Sequence, residues 1–399
     1  MIKKLQNIYF YSFLNFIDKI LIFILPLIVL KLYDDKDLYN SIEYIYSIAV
    51  VIVIFFDFGL KNYTFYFLKK SSNIDNDIKK IEDTFYFFLL FFLLFLILFF
   101  IFYEKFYNEI LILIFIRVIY LTIINFYKIY YRAKDIPSRI FIFSIPVSIL
   151  TISLMIWNLF YYNGNSLIFF FIIQLFLILL YFIFQVKIIN KFRSNIKSYL
   201  IILKNSISFS YPLMLSILFY NFMLNYGKIY SFNFLSQDEM SFLSLIQRIF
   251  IILTFFHATY VSYFQKKIFI SDDKVINRKI FFDYFKIIFS LSIFLLIITP
   301  FTANYVNIEI LNIKIVILLF SHSLLWCLSS FFDMYLTKTN HNKSIFLNML
   351  FSLVIFALIL IYFQSNFLLI FCIAINISTI VYLFLIIFKI KKIGIKFTK

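Results

Sequence analysis

The chain has 399 residues, 63% of them hydrophobic and 14% charged, with a formal net charge of +17 and a mean hydropathy of +0.96. A soluble domain carries about 25% charged residues, so this composition excludes an ordinary water-soluble enzyme. The charges cluster between long apolar runs, which assigns the positive excess to membrane topology rather than to nucleic-acid binding.

About 20 apolar residues cross the hydrocarbon as a helix, and lipid leaves only helices or closed barrels as spanning structures. The apolar runs here are continuous rather than alternating, so a barrel is excluded. Taken in chain order, the runs predict spans at about 8–30, 41–60, 84–103, 110–130, 139–161, 165–186, 206–228, 241–264, 281–300, 313–335, 344–363 and 366–388. The chain is therefore expected to be an all-α polytopic membrane protein with twelve transmembrane helices. The first run, in "MIKKLQNIYFYSFLNFIDKILIFILPLIVL", contains Asp18-Lys19 and has no small-residue cleavage site, so it reads as a retained helix rather than a signal peptide. The 60 Phe and 30 Tyr accompany abundant Ile, Lys and Asn, a compositional bias that needs no aromatic function.

Lys and Arg alternate between the loops. One side of the membrane collects 28 of them and the other only 4, which by the positive-inside rule places both termini in the cytoplasm. Every loop is short, so no extramembrane catalytic domain is expected and the work falls to the helices. Twelve spans divide into six plus six, giving halves at 1–195 and 196–399, with a basic linker after span six. Each half opens on a helix with a proline, Pro26 in span one and Pro212 in span seven. Each continues into an acidic loop, "YDDKDLYN" at 33–40 and "SQDEM" at 236–240. Proline kinks a membrane helix and frees a carbonyl, so Pro26 and Pro212 are hinge candidates, with Pro146 and Pro300 kinking spans five and nine.

Ionisable residues at membrane depth face a cavity or a partner. Asp18 and Lys19 lie near the middle of span one. Arg117 and Arg248 lie inside spans four and eight, and Lys228 at the outer end of span seven. Most of these are cations, as an interior that receives an anion requires, and Arg presents a planar fork suited to phosphate or carboxylate. Asn15 adds a hydrogen-bonding amide in span one, and Asn125, Asn221, Asn225 and Gln247 add others. Lys19, Arg117, Arg248, Lys228 and Asn15 are thus the candidate substrate-binding residues. Asp18, the single midplane carboxylate found, is the candidate ion-coupling group. His257, His322 and His341 are scattered, Cys327 and Cys372 fall in apolar runs, and no phosphate-binding loop or metal spacing occurs, so no catalytic residue, metal or cofactor is expected.

One stretch resembles a known family. In "FFDFGLKNYTFYFLKK", residues 55–70, Asp57, Gly59 and Leu60 match the "DxGL" and following basic segment at the end of the second helix of Wzx-type polysaccharide (O-antigen) flippases, members of the multidrug/oligosaccharidyl-lipid/polysaccharide exporter superfamily. Residues 207–250 are similar to the family's spans seven and eight. Gly227-Lys228 stands where that family has Asp-Arg, and "EMSFLS" where it has "GxYS". The resemblance implies a MATE-like fold of two six-helix bundles with a central cavity. It implies a bacterial inner-membrane protein that flips undecaprenyl-diphosphate-linked oligosaccharide to the periplasmic leaflet by alternating access, for O-antigen, lipopolysaccharide or other surface polysaccharide. Its implied partners are the lipid-linked substrate, membrane lipids and the polysaccharide polymerase, and its driving force a proton or sodium gradient. The alternatives are a MATE-type multidrug exporter, which a cationic interior disfavours, and a membrane glycosyltransferase or polymerase, for which Asp34, Asp35 and Asp37 are the one suitable feature. Asp57 itself falls in the last turn of span two, where Lys61 is spaced to pair with it and Gly59 permits a bend or close packing. Asp57 and Gly59 therefore read as a gate or hinge.

Overall fold

The computed structural model describes residues 2–33, 36–56, 59–60, 63–64, 67, 74–102, 109–134, 136–161, 176, 196–270, 275–363 and 366–397. Among these, eleven α-helices account for nearly all of the chain. They are α1 (Ile2–Tyr33), α2 (Lys36–Phe56), α3 (Ile74–Phe102), α4 (Glu109–Ala133), α5 (Phe141–Tyr161), α6 (Ile196–Phe234), α7 (Gln237–Ile270), α8 (Arg278–Tyr305), α9 (Ile313–Lys338), α10 (Asn342–Tyr362) and α11 (Phe367–Ile393). A two-residue parallel pair, β1 (Val275–Ile276) with β2 (Lys396–Phe397), ties the C-terminal segment to the turn before α8.

Among the described residues nine helices are long and apolar enough to cross a membrane. The expected spans near 84–103 and 139–161 fall on α3 and α5, and the one near 165–186 lies outside the described residues except for Phe176. Side-chain exposure supports immersion in lipid. On α10, Leu347, Phe351, Val354, Leu358 and Ile361 recur at helical spacing and are 47% to 71% exposed. In water such a stripe would be an aggregation site, whereas in lipid it is the required outer face.

The helix ends follow their sequence. Asn277, Asn312 and Asn366 each accept a backbone N–H at the start of α8, α9 and α11, and Gly394 closes α11 in the left-handed conformation at φ +79°. The "SQDEM" stretch, expected as an acidic loop, is a capping box. Ser236 Oγ accepts the Glu239 N–H, and Glu239 reaches back to the Ser236 N–H at 3.1 Å. Only Leu235 and Ser236 separate α6 from α7. As a result, Lys228 is not at the end of its helix, as expected, but inside α6, where it is buried.

The chain forms two packing units. The first comprises Met1–Leu25 and Ile45–Met214, the second Pro26–Tyr44 and Leu215–Lys399. The changeovers between these packing units fall inside helices. In α1 the changeover falls at Pro26, and in α6 it falls just after Pro212. Both prolines are buried, and each removes a backbone donor from its helix, which is where a helix bends.

The first unit is built on the aromatic and branched faces of α3 and α4, with Phe85 stacked on Phe126 at a 3.8 Å centroid distance. In the second unit α11 packs against α9 and α10. Asn376 pins α11 to α9 by donating to the Leu318 carbonyl at 2.7 Å and accepting from Ser321 Oγ at 2.6 Å, the polar glue of helices in lipid. The His257 imidazole performs a similar task. Tyr284 Oη donates to the Cys327 carbonyl at 2.7 Å, so it must accept the His257 Nδ1–H at 2.6 Å, which leaves Nε2 to accept from Ser330 Oγ at 2.9 Å. That accounting makes His257 a structural tie between α7, α8 and α9.

Gly227 brings α6 onto Phe371 of α11, and a Cβ at this position would lie 2.6 Å from the ring. Gly227→Ala is expected to lower stability by about 1–3 kcal/mol through overpacking. Midpoints of thermal unfolding in detergent, compared with Gly227→Ala/Phe371→Leu, check it; the double variant should recover most of the loss.

Candidate functional site

Each packing unit carries its own buried charge cluster. In the first unit the scaffold is one face of α4. Arg117, Lys128 and Arg132 lie within roughly 60° of one another's direction at about 100° per residue, with Tyr120 about 60° from Arg117 on the other side. On α1, Tyr11, Asn15 and Asp18 share a face in the same way, with Lys19 beside them.

These two faces meet through their polar tips. Lys128 Nζ lies 3.7 Å from Asp18 Oδ2, and Arg132 donates to Tyr11 Oη at 3.3 Å. Lys19 shares this neighbourhood with Asp18, Lys128 and Arg132. The Asp18 side chain is buried, and among the described residues neither carboxylate oxygen has a hydrogen-bond partner. A buried carboxylate of this kind depends on nearby cations for its charge balance. Three basic side chains thus share this neighbourhood with one carboxylate, Lys128 lying nearest to it, so basic groups outnumber acidic ones here. Arg117 completes the face from further along α4, its guanidinium 4.1 Å from the centre of the Tyr46 ring and 4.7 Å from that of Tyr120. Arg stacked on aromatic faces keeps its charge while shedding water.

In the second unit the centre is Glu43, on α2, with 1% of its surface exposed. It accepts from Lys228 Nζ at 2.9 Å and from Arg248 Nε at 2.5 Å, and the other Arg248 arm contacts the same carboxylate. Both Arg248 nitrogens meet Oε1 and the lysine takes Oε2, so each carboxylate oxygen has a charged donor. Tyr39, fully buried, packs beside Glu43 and Arg248, and Gln247 donates to the Leu224 carbonyl at 3.1 Å.

The structure thus gathers the sequence-derived candidates into two groups. Asp18, Lys19 and Asn15 belong to the first unit, where Arg117 joins them, and Lys228 and Arg248 to the second. Arg248 and Lys228 were expected as cations facing an open interior; they instead share one carboxylate. Besides Asp18, two further carboxylates have buried partners within helices, Glu43 as above and Asp333, which accepts from Tyr382 Oη at 2.8 Å. Gly59 adopts φ +70° just after α2, and its carbonyl accepts from Ser210 Oγ at 2.9 Å. Asp57 and Lys61 lie outside the described residues.

Sequence reasoning missed Glu43, Lys128 and Arg132, and in each case the predicted helix end was the cause. Span two was begun at about 41, which put Glu43 at the water boundary, but α2 begins at Lys36. Span four was ended at about 130 and the basic loop after it was counted from 128 to 139, which assigned Lys128 and Arg132 to that loop, but α4 runs to Ala133. The available signal was register, since 117, 128 and 132 recur on one helical face. No family model matches the chain, and no curated protein matches its sequence.

Proposed function

We propose that the protein is a flippase that carries an undecaprenyl-diphosphate-linked oligosaccharide from the cytoplasmic to the periplasmic leaflet of a bacterial inner membrane by alternating access. The observation that supports this reading is the excess of basic side chains around Asp18, from Lys128 and Arg132 with Lys19 beside them, within helices long and apolar enough to span a membrane. A diphosphate moving through lipid loses its water, and paired cations at depth replace that hydration. The sugar would cross along the polar faces of α1 and α4 while the prenyl chain stays in the bilayer. The reading carries with it twelve spans in two six-helix bundles, cytoplasmic termini, and rocking of repeats about a central site. Asp18 is the group proposed to bind the coupling proton or sodium ion, with Pro26, Pro212, Asp57 and Gly59 as hinge positions. The polysaccharide polymerase is the proposed downstream partner. An exporter of cationic drugs would need the opposite sign of charge at this place.

Complementation tests the reading. Lys19→Ala, Lys128→Ala and Arg117→Ala should insert at wild-type levels yet lose flipping by roughly 10- to 100-fold, the loss of one charged hydrogen bond each. Arg117→Lys should retain partial function. Full complementation of a flippase-deficient strain by all three alanine variants would sink the proposal.

A further inference from the structure

The second unit brings together two helical hairpins that are far apart in sequence, the tip of α1–α2 and the α6–α7 pair. Their shared seam carries a series of polar contacts and one aromatic stack. At its exposed edge Lys36 meets Asp238 at 2.5 Å. One turn further along α2, Asn40 donates to the Gln237 carbonyl at 3.1 Å and accepts from Ser241 Oγ at 3.0 Å. Tyr44 stacks on Phe232 at 4.2 Å. Deepest in the series, Glu43 holds Lys228 and Arg248. Lys36, Asn40, Glu43 and Tyr44 recur at three- and four-residue spacing, so one side of α2 makes every contact.

The choice of residues is informative. A buried ion pair is no more stabilising than well-packed apolar residues of the same volume, and often less so. A seam meant to stay closed would therefore gain nothing from a carboxylate and two cations. Such a group has one property that an apolar seam lacks, because a competing anion can replace the carboxylate. Two cations facing a single carboxylate also leave a positive excess, which a diphosphate, with more charge and more oxygens, satisfies better than Glu43 does.

We propose that Glu43 is a built-in stand-in for the substrate's diphosphate. In this scheme an arriving diphosphate takes Lys228 and Arg248 from Glu43 and so releases the α1–α2 tip from α6–α7. Glu43 is then a positioning residue that links anion binding to opening of the seam. The inference rests on the anionic-substrate reading given above and adds to it the regulation of Lys228 and Arg248.

Thiol accessibility reports the seam directly. Ser241 and Ser244 on α7 are fully buried, as are the native Cys327 and Cys372, so the unmodified chain supplies the blank. Ser241→Cys and Ser244→Cys proteins in nanodiscs are treated with a maleimide, with and without farnesyl diphosphate or inorganic pyrophosphate, and diphosphate binding is measured separately by calorimetry. We expect diphosphate to raise the labelling rate at both positions about tenfold. We expect Glu43→Gln to raise it without any anion and to bind diphosphate about tenfold more tightly, equivalent to roughly 1.4 kcal/mol. A response to farnesyl diphosphate alone identifies a lipid-borne diphosphate as the competitor, and an equal response to both identifies the diphosphate group itself. Diphosphate binding with unchanged labelling at both cysteines in the Glu43 background overturns the stand-in role and leaves the flippase reading intact. Absence of diphosphate binding overturns both.

Discussion

Glu43→Ala is expected to lower the stability of the protein by about 3–5 kcal/mol, because it leaves two buried cations facing each other without their carboxylate. Lys228 and Arg248 both point at Glu43, and each side chain is at most 10% exposed. Neither cation can recover bulk water without moving its helix. The penalty is therefore mostly that of the stranded charges, not the worth of the pair. Removing all three charges separates the two contributions. A Glu43→Leu/Lys228→Leu/Arg248→Met protein should be as stable as wild type, or more stable by about 1–4 kcal/mol, since packed apolar residues replace a desolvated ion group well. Thermal midpoints in detergent measure both. Because the cluster is buried, raising the salt concentration should change the Glu43→Ala penalty little. A Glu43→Ala protein with wild-type stability would show that water reaches these cations and that the group is an exposed surface pair. The surface pair at the seam's edge, Lys36 with Asp238, should contribute less than about 1 kcal/mol in the same assay.

Gly59→Ala is expected to lower stability by about 2–4 kcal/mol. Two effects add. At φ +70° a side chain crowds the following carbonyl, at about 1–2 kcal/mol for a non-glycine residue. A new Cβ would also press into Ser210 of α6, with Met214 Sδ at 3.0 Å on the other side, an overpacking term of about 1–3 kcal/mol. A double-mutant cycle divides them. Gly59→Ala/Ser210→Gly should recover the steric part and keep the backbone part. If the double variant regains full stability, the positive φ carries no strain. If it regains none, the close approach of α6 is not what requires glycine.

How far the sequence could be read is clear from particular residues. The apolar runs on α8 to α11 were visible because a membrane helix satisfies its backbone within itself, and the number and spacing of nearby residues decide it. The resemblance at residues 55–70 drew attention to Gly59, and the structure shows why a glycine stands there. The same reading went astray wherever a boundary mattered. A helix end placed a few residues short turned Glu43 into a water-facing charge and Lys128 and Arg132 into loop charges, because a charged residue near a span end has the same local sequence whether it is solvated or buried.

Sequence by itself determined the long apolar helices, the basic residues inside them and the prolines within α1 and α6, since those properties depend on composition and on neighbours along the chain. Only the tertiary structure decided which of those cations is neutralised. Glu43 is 185 residues from Lys228 and 205 from Arg248, and no local pattern couples positions so far apart. The pairing exists because folding removes all three side chains from water at one place, where each charge is tolerated only beside the others.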